Sequence, residues 1–299
     1  IRDRPVSFGV SFEYLYSHFR DSILDYEEHD GIFESWLGNN SIDSVGLIYG
    51  ATAAVGTKGE YELSAKAGYK NGRHFQIYGG VKNTRYEPTF FQQHHFSNHF
   101  HWDNNFDKTL NLEGLVNISI PKWHLALEGR INRVSNLVYF DTAAMPTQAT
   151  ESLTAWSIRL KQDFHFGKFH WENLLVFQAD NRDFVRLPKF WSKHRFYYEN
   201  LFFGSALHAQ AGLDVKYNTN YFGNAYSPAT GQFFLQKEEQ LTFYPVVDIF
   251  FNFFVKRARL FFKIEHINQG LGWKGYYDAP DYPMPDRAFK FGVSWYFYY

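Results

Sequence analysis

The chain has 299 residues, no cysteine, and 30 Lys and Arg against 31 Asp and Glu, for a formal net charge of −1. That balance gives no electrostatic footing for nucleic-acid binding, and the missing thiols exclude disulfide staples and thiolate metal sites. Aromatic residues make up 21% of the chain (33 Phe, 21 Tyr, 8 Trp), yet no run approaches the ~18 apolar residues of a membrane-crossing helix.

Period-two alternation recurs from start to end, the signature of strands with two unlike faces. Val6, Phe8, Val10, Phe12, Tyr14 and Tyr16 alternate with Ser7, Gly9, Ser11, Glu13 and Ser17. A weak strand is predicted around Ile32 to Leu37, ended by Gly38-Asn39-Asn40. Val45 to Val55 forms the next row, then Tyr61 to Tyr69, and Asn71-Gly72 marks a tight hairpin into Phe75, Ile77 and Val81. One parity holds from Phe100 through Trp102, Phe106, Leu110, Leu112 and Val116 to Ile120, predicting one long strand. Pro121-Lys122 turns the chain into Trp123, Leu125, Leu127 and Ile131. Trp156 to Phe166 and Phe169 to Phe177 flank Gly167-Lys168. A strand near 192–204 has mixed parity, and Leu207 to Tyr217, Val247 to Val255 and Leu260 to Ile264 follow.

The C-terminus carries the clearest pattern. Phe289, Phe291, Val293, Trp295, Phe297 and Tyr299 share one face of a strand; Lys290, Gly292 and Ser294 share the other. Bare aromatics on a terminal strand invite aggregation in water but suit a barrel-closing strand whose outer face meets lipid. Links also alternate. Long ones are expected near 268–286, 220–243, 181–191, 134–152 and 86–97, short ones near 257, 205, 167, 121 and 71. Outer-membrane barrels have short periplasmic turns and longer outer loops, which puts the C-terminus at the periplasm. The fold class is therefore all-β: a transmembrane antiparallel β-barrel of about 14 strands, with 12 or 16 left open. The whole of 1–299 reads as one barrel domain. A soluble β-sandwich would alternate too, but with mostly shorter strands. Residue 1 is Ile, which reads as a processed or trimmed start.

Three segments carry a family resemblance: YNTNYFGNAYSPATGQFFLQ from Tyr217, FYPVVDIFFNFFVKRARLFFKIEHINQG from Phe243, and the terminal FKFGVSWYFYY. With SNHFHWDNNF from Ser97, they resemble the "putative porin" family of Bacteroidota outer-membrane β-barrels. The likeness is strong over 217–299 and looser upstream. It implies a bacterial outer-membrane location and little chemistry, since the family offers no catalytic motif. Its members are typically longer, so either this member is short or an N-terminal region precedes Ile1. Asp21-Ser22-Ile23 and Asp141-Thr142-Ala143 resemble short O-glycosylation acceptor sites of Bacteroidota envelope proteins.

The polar parity supplies the candidate lumen lining: Arg130, Arg159, Lys161, Asp163, Glu172, Asp214, Asp248, Asn252, Arg259, Lys263, Glu265 and Lys290. Such groups either set a field across a constriction or pair with one another and fill the barrel. His95, His99 and His101 share a parity and would face the lumen near the outer rim, as metal ligands or as plain polar lining. The loop from Tyr221 to Leu241 either enters the lumen or caps it. No nucleophile elbow, zinc-protease motif, phosphate loop or dinucleotide fingerprint occurs, so no enzyme and no cofactor are expected. The expected function is a passive channel for small polar solutes. The alternative is a structural or accessory barrel in a larger secretion, nutrient-uptake or outer-membrane assembly complex. Expected partners are outer-membrane lipid and, under that alternative, other outer-membrane proteins.

Overall fold

Alternating side chains give each segment one face that water rejects and one that it accepts, and an antiparallel wall keeps all the apolar faces on one side. A computed structural model describes residues 6–20, 25–39, 46–71, 74–271, 277–295 and 297. Fourteen strands build the wall. The first seven are β1 (Ser7–Arg20), β2 (Asp25–Asn39), β3 (Gly46–Gly56), β4 (Tyr61–Asn71), β5 (Phe75–Tyr86), β6 (Thr109–Ile120) and β7 (Leu125–Ser135). The rest are β8 (Leu153–Phe166), β9 (Phe169–Asp180), β10 (Phe190–Phe202), β11 (Leu207–Asn218), β12 (Val246–Val255), β13 (Ala258–Glu265) and β14 (Ala288–Trp295). They form one sheet in sequence order, every neighbour antiparallel, with β1 and β14 at its ends.

The count of 14 agrees with the sequence reading, and the strand expected to be weak around Ile32 to Leu37 is the 15-residue β2, beginning at Asp25. The apolar face is bare. Phe8 is 79% exposed, Phe291 71% and Trp295 56%, values that no water-facing wall sustains. Trp123, Phe166, Phe169, Trp171 and Trp295 stand exposed near the short-turn ends of their strands, as a girdle does. Five short turns among the described residues use left-handed residues: Gly59 (φ 86°), His124 (49°), Gly167 (66°), Gly204 (61°) and Lys256 (53°). Tyr299, Val45, Gly72 and Asp21-Ser22-Ile23 lie outside the described residues.

Two departures from the sequence reading have clear causes. The predicted long strand from Phe100 to Ile120 is not one strand. The wall strand begins at Thr109, and residues 94–103 form a separate hairpin, His94–Phe96 with His101–Asp103. The parity ran on by coincidence from the second hairpin strand through the link at 104–108, which belongs to no strand. The mixed parity near 192–204 arises because β10 places Ser192 and His194 on the apolar face. His194 Nδ1 lies 2.7 Å from Asn173 Oδ1, and Asn173 stands opposite Gln162, so a polar row crosses β8, β9 and β10 there.

Four cross-strand pairs on the polar face match glycine with an aromatic: Gly9 with Trp36, Gly68 with Tyr78, Gly212 with Tyr197 and Gly292 with Phe261. A Cβ on Gly212 would lie 2.4 Å from the Phe196 carbonyl and 2.5 Å from Tyr197 Cβ. At Gly9 and Gly292 the partner's ring lies where the glycine leaves room, and at Gly68 and Gly212 the neighbouring strand's backbone and the partner's Cβ do, an arrangement that pins register.

Most of the buried apolar side chains sit in the loops; in the wall, Phe250 and Leu153 are buried as well. Trp102, Val138, Phe140, Leu235, Leu241 and Tyr244 are buried. Trp102 meets Phe140 edge-on at 6.0 Å, and the Leu235 N–H donates to the Phe140 carbonyl (3.0 Å). The three longest loops upstream of β12 thus form one cap.

Candidate functional site

A strand turns alternate side chains to one face, so polar parity on neighbouring strands stacks ionic groups side by side. The result is a belt of paired charges. On β10, Arg195 grips Asp214 of β11 with two bonds, Nε to Oδ1 (2.7 Å) and Nη2 to Oδ2 (3.0 Å). Its remaining nitrogen lies 4.0 Å from Glu172 of β9, which also accepts the Tyr197 hydroxyl (3.3 Å). Asp214 faces Asp248 of β12 in register. Two adjacent carboxylates, each under 5% exposed, need separate cations. Asp248 obtains Lys263 at 2.8 Å, Lys216 at 3.8 Å and the His266 backbone N–H at 2.9 Å. Glu265 then joins Lys263 (3.2 Å) to Lys290 of β14 (2.6 Å).

The belt continues the other way. Asp163 and Lys161 of β8 lie 3.8 Å apart. Arg130 of β7 sits between Glu128 and Glu113, each at 3.4 Å. Lys82 pairs with Glu62 at 2.8 Å. Asn252 donates to Gln210 (3.2 Å), which donates to Glu199 (2.8 Å). Arg259 lies 5.0 Å over the Phe254 ring, and Arg159 has no ion-pair partner among the described residues. Of the residues named from sequence, the belt therefore gathers Arg130, Lys161, Asp163, Glu172, Asp214, Asp248, Lys263, Glu265 and Lys290. The sequence reading missed Arg195, its best-bonded cation, because the apolar-face Ser192 and His194 hide the parity of β10. Lys193 and Glu199, which share the parity of Arg195, were the available signal.

Above the belt, at the long-loop rim, lies a cavity of about 700 Å³. Its floor is Asn132, Ser157, Gln178 and Asp180 of the wall; Arg186, Lys189, Tyr221 and Gln240 come from loops. Tyr221 and Leu241 pair backbone to backbone, closing the base of their loop, and Tyr221 and Gln240 at its two ends line the cavity. A second ionic cluster ties loops to wall at the same rim. Lys108 bonds Glu60 and, at 3.1 Å, Glu87. Burial alone would lower the Lys108 pKa, but the bonds to both carboxylates outweigh it and raise it. For Glu87, burial opposes ionisation, while the bonds from Gln93 and Lys108 overcome it and lower its pKa.

Of the two readings of the 95–101 histidines, metal ligation does not assemble. His95 stacks on Trp102 (4.5 Å), His101 packs on Phe96 (4.5 Å), and His99 lies between the two hairpin strands. The hairpin puts His95 and His101 on opposite faces of a loop, not together on a lumen strand, and among the described residues no three acidic or His side chains meet as metal ligands. Asp141 is engaged in its own turn, its Oδ1 accepting from the Ala143 and Met145 N–H groups.

A family model described as "Putative porin" matches residues 7–299. No protein of curated function matches the sequence. Solved structures share the fold. The copper transporter OprC aligns with a TM-score of 0.68 at 11% identity, covering 98% of this chain and 53% of that one. The siderophore receptor PirA from Pseudomonas aeruginosa aligns at 0.63 with 10% identity over 96% and 50%. PirA from Acinetobacter baumannii aligns at 0.61 with 12% identity over 90% and 46%. The chain thus spans about half the length of these transporters.

Proposed function

The chain belongs to the outer-membrane β-barrel family described as "Putative porin", and from that premise we propose a porin-like passive channel for small polar solutes. The observation that carries this reading is the polar face itself: a vestibule of about 700 Å³ opens above a belt of charges of both signs. Solutes would diffuse from the vestibule past the belt, with lipid against the apolar face and β14 closing the ring. No cofactor and no covalent step enter. Because cations and anions of the belt are nearly matched, ion selectivity would be weak. The substrates of the fold relatives do not transfer to this chain, which resembles them at 10–12% identity.

Purified protein in planar bilayers tests this reading. Steady conductance is expected, and Arg195→Ala should shift cation over anion preference upward. Silence in bilayers, with fixed partners retained through mild detergent, would instead support a structural or accessory barrel within a larger membrane assembly. One observation favours that second reading: the belt is internally paired strand to strand, so its groups already occupy one another.

A further inference from the structure

Between the belt and the rim cavity, the polar face loses its balance of charge. Asp163, Glu172, Arg195, Asp214 and Asp248 share one rung across β8 to β12. One step toward the long loops, about 7 Å on, the rung is Lys161, Leu174, Lys193 and Lys216. It carries cations and no carboxylate, and Lys193 stands directly opposite Lys216, where like charges repel. The next rung holds Arg159, Val176, Trp191 and Asn218. Above it Ser157 faces Gln178, whose backbone N–H donates to the Lys189 carbonyl (2.9 Å), and all three residues line the cavity. Lys161 and Lys216 approach the carboxylate rung only at 3.8 Å. Arg159, Lys189 and Lys193 have no ion-pair partner among the described residues. Glu128 faces Arg159 in register, but Arg130 lies 3.4 Å from it.

The cavity holds the decisive residue. Arg186 lines it, with its side chain only 11% exposed. Its Nε and Nη2 are buried without a hydrogen-bond partner. Its one ion-pair contact among the described residues, Asp183, is 4.0 Å away and 82% exposed. Asp180, the other carboxylate in the lining, accepts the Arg182 backbone N–H (3.1 Å). A guanidinium drawn out of water needs an anion beside it, and buried donors are seldom left unpaired. We propose that the rim cavity binds small organic anions, recognised through carboxylate or phosphate oxygens by Arg186 and Lys189.

The donors set the ligand class. Guanidinium matches the planar spacing of carboxylate and phosphate oxygens, and a lysine ammonium adds a point charge. A space of about 700 Å³ with Tyr221 and Phe222 in its wall suits an organic molecule rather than a bare ion. Below it, Arg159 and then Lys193 offer the next positive stations toward the belt; this onward path rests on the channel reading, whereas occupancy of the cavity does not. The belt itself stays matched, so the preference is for filling the cavity and not for the passage of small ions.

Calorimetric titration of the full chain in nonionic detergent at low ionic strength tests the site. Citrate and inorganic phosphate are separate probes, with choline and glycerol as controls. Saturable binding of at least one anion is expected, weakened by added NaCl, with none of choline or glycerol. Citrate alone would assign carboxylates, and phosphate alone phosphoryl groups. Arg186→Gln should weaken binding by about tenfold or more. Lys189→Gln, at an exposed position, should weaken it severalfold and keeps the test valid if Arg186→Gln disturbs the loop. Lys122→Gln, the same charge change at the opposite mouth, should bind as the parent does. Binding of neither anion, equal binding of choline, affinity unchanged in both Arg186→Gln and Lys189→Gln, or an equal loss in Lys122→Gln would each overturn the site. Planar bilayers separate the two readings: anion binding without conductance keeps the site and removes the channel, and conductance without anion binding does the reverse.

Discussion

Glycine at 212 and glycine at 129 look alike in sequence, each inside a strand, but the structure predicts opposite responses to alanine. A Cβ at Gly212 meets the Phe196 carbonyl at 2.4 Å, Tyr197 Cβ at 2.5 Å and Tyr197 Cα at 2.8 Å. Ordinary contact is 3.4–4 Å, so the neighbours must move by about 1 Å, and two of the three atoms are backbone. Overpacking of this kind costs about 1–3 kcal/mol. The displaced Tyr197 would also loosen its bond to Glu172 (3.3 Å) and its stack on His170, so the upper end, about 3 kcal/mol, is expected. At Gly129 a Cβ meets nothing within 4 Å and φ is not left-handed. Alanine there should stabilise by about 0.5–1 kcal/mol, because glycine surrenders more chain entropy in a strand. Urea unfolding in detergent or thin bilayers, followed by tryptophan fluorescence and by the mobility of unheated protein on gels, measures both. Equal stability of Gly212→Ala and the parent, or equal effects at the two sites, would refute the claim that Gly212 is kept small to seat Tyr197.

Arg195→Met should destabilise the wall by about 2 kcal/mol or more, since it strands the buried Asp214 carboxylate. The same unfolding assay should show D214N/R195M recovering part of that loss. The Lys108 clamp has a defined pH window. The lowered Glu87 pKa adds stability above the ordinary glutamate range that is lost as pH falls through the folded value, and the raised Lys108 pKa adds stability lost only in strong alkali. Limited proteolysis within 87–108 should therefore accelerate below about pH 4, and Glu87→Gln should remove much of that acid response. Trp102→Ala should cost about 3 kcal/mol in the loop cap, read as faster hydrogen exchange in 87–108 and 136–152 while β6 to β9 stay protected.

The wall was legible before any coordinates. Which side of a strand a residue occupies depends only on its position in a two-residue repeat, so Trp156, Ile158 and Leu160 declare an apolar face without knowledge of any neighbour. Turn positions such as Gly167-Lys168 were legible for the same reason, being local. The belt was legible as a set of residues on one parity but not as bonds. Asp214 joins Arg195, and Asp248 joins Lys263, only once register sets which rungs face each other.

Tertiary structure alone decided the rest. Parity cannot reveal that a run has doubled back, so Phe100 to Asp103 read as wall until the hairpin placed His95 against Trp102. The seating of Tyr197 over Gly212, the meeting of Trp102 with Phe140 in the cap, and the ring contacts of His165 with His124 and with His170 join residues on different strands or loops. A sequence specifies the faces of its strands through covalent geometry. The alignment of those strands is a cooperative outcome of all their contacts at once, so sites that span several strands come into view only with the fold.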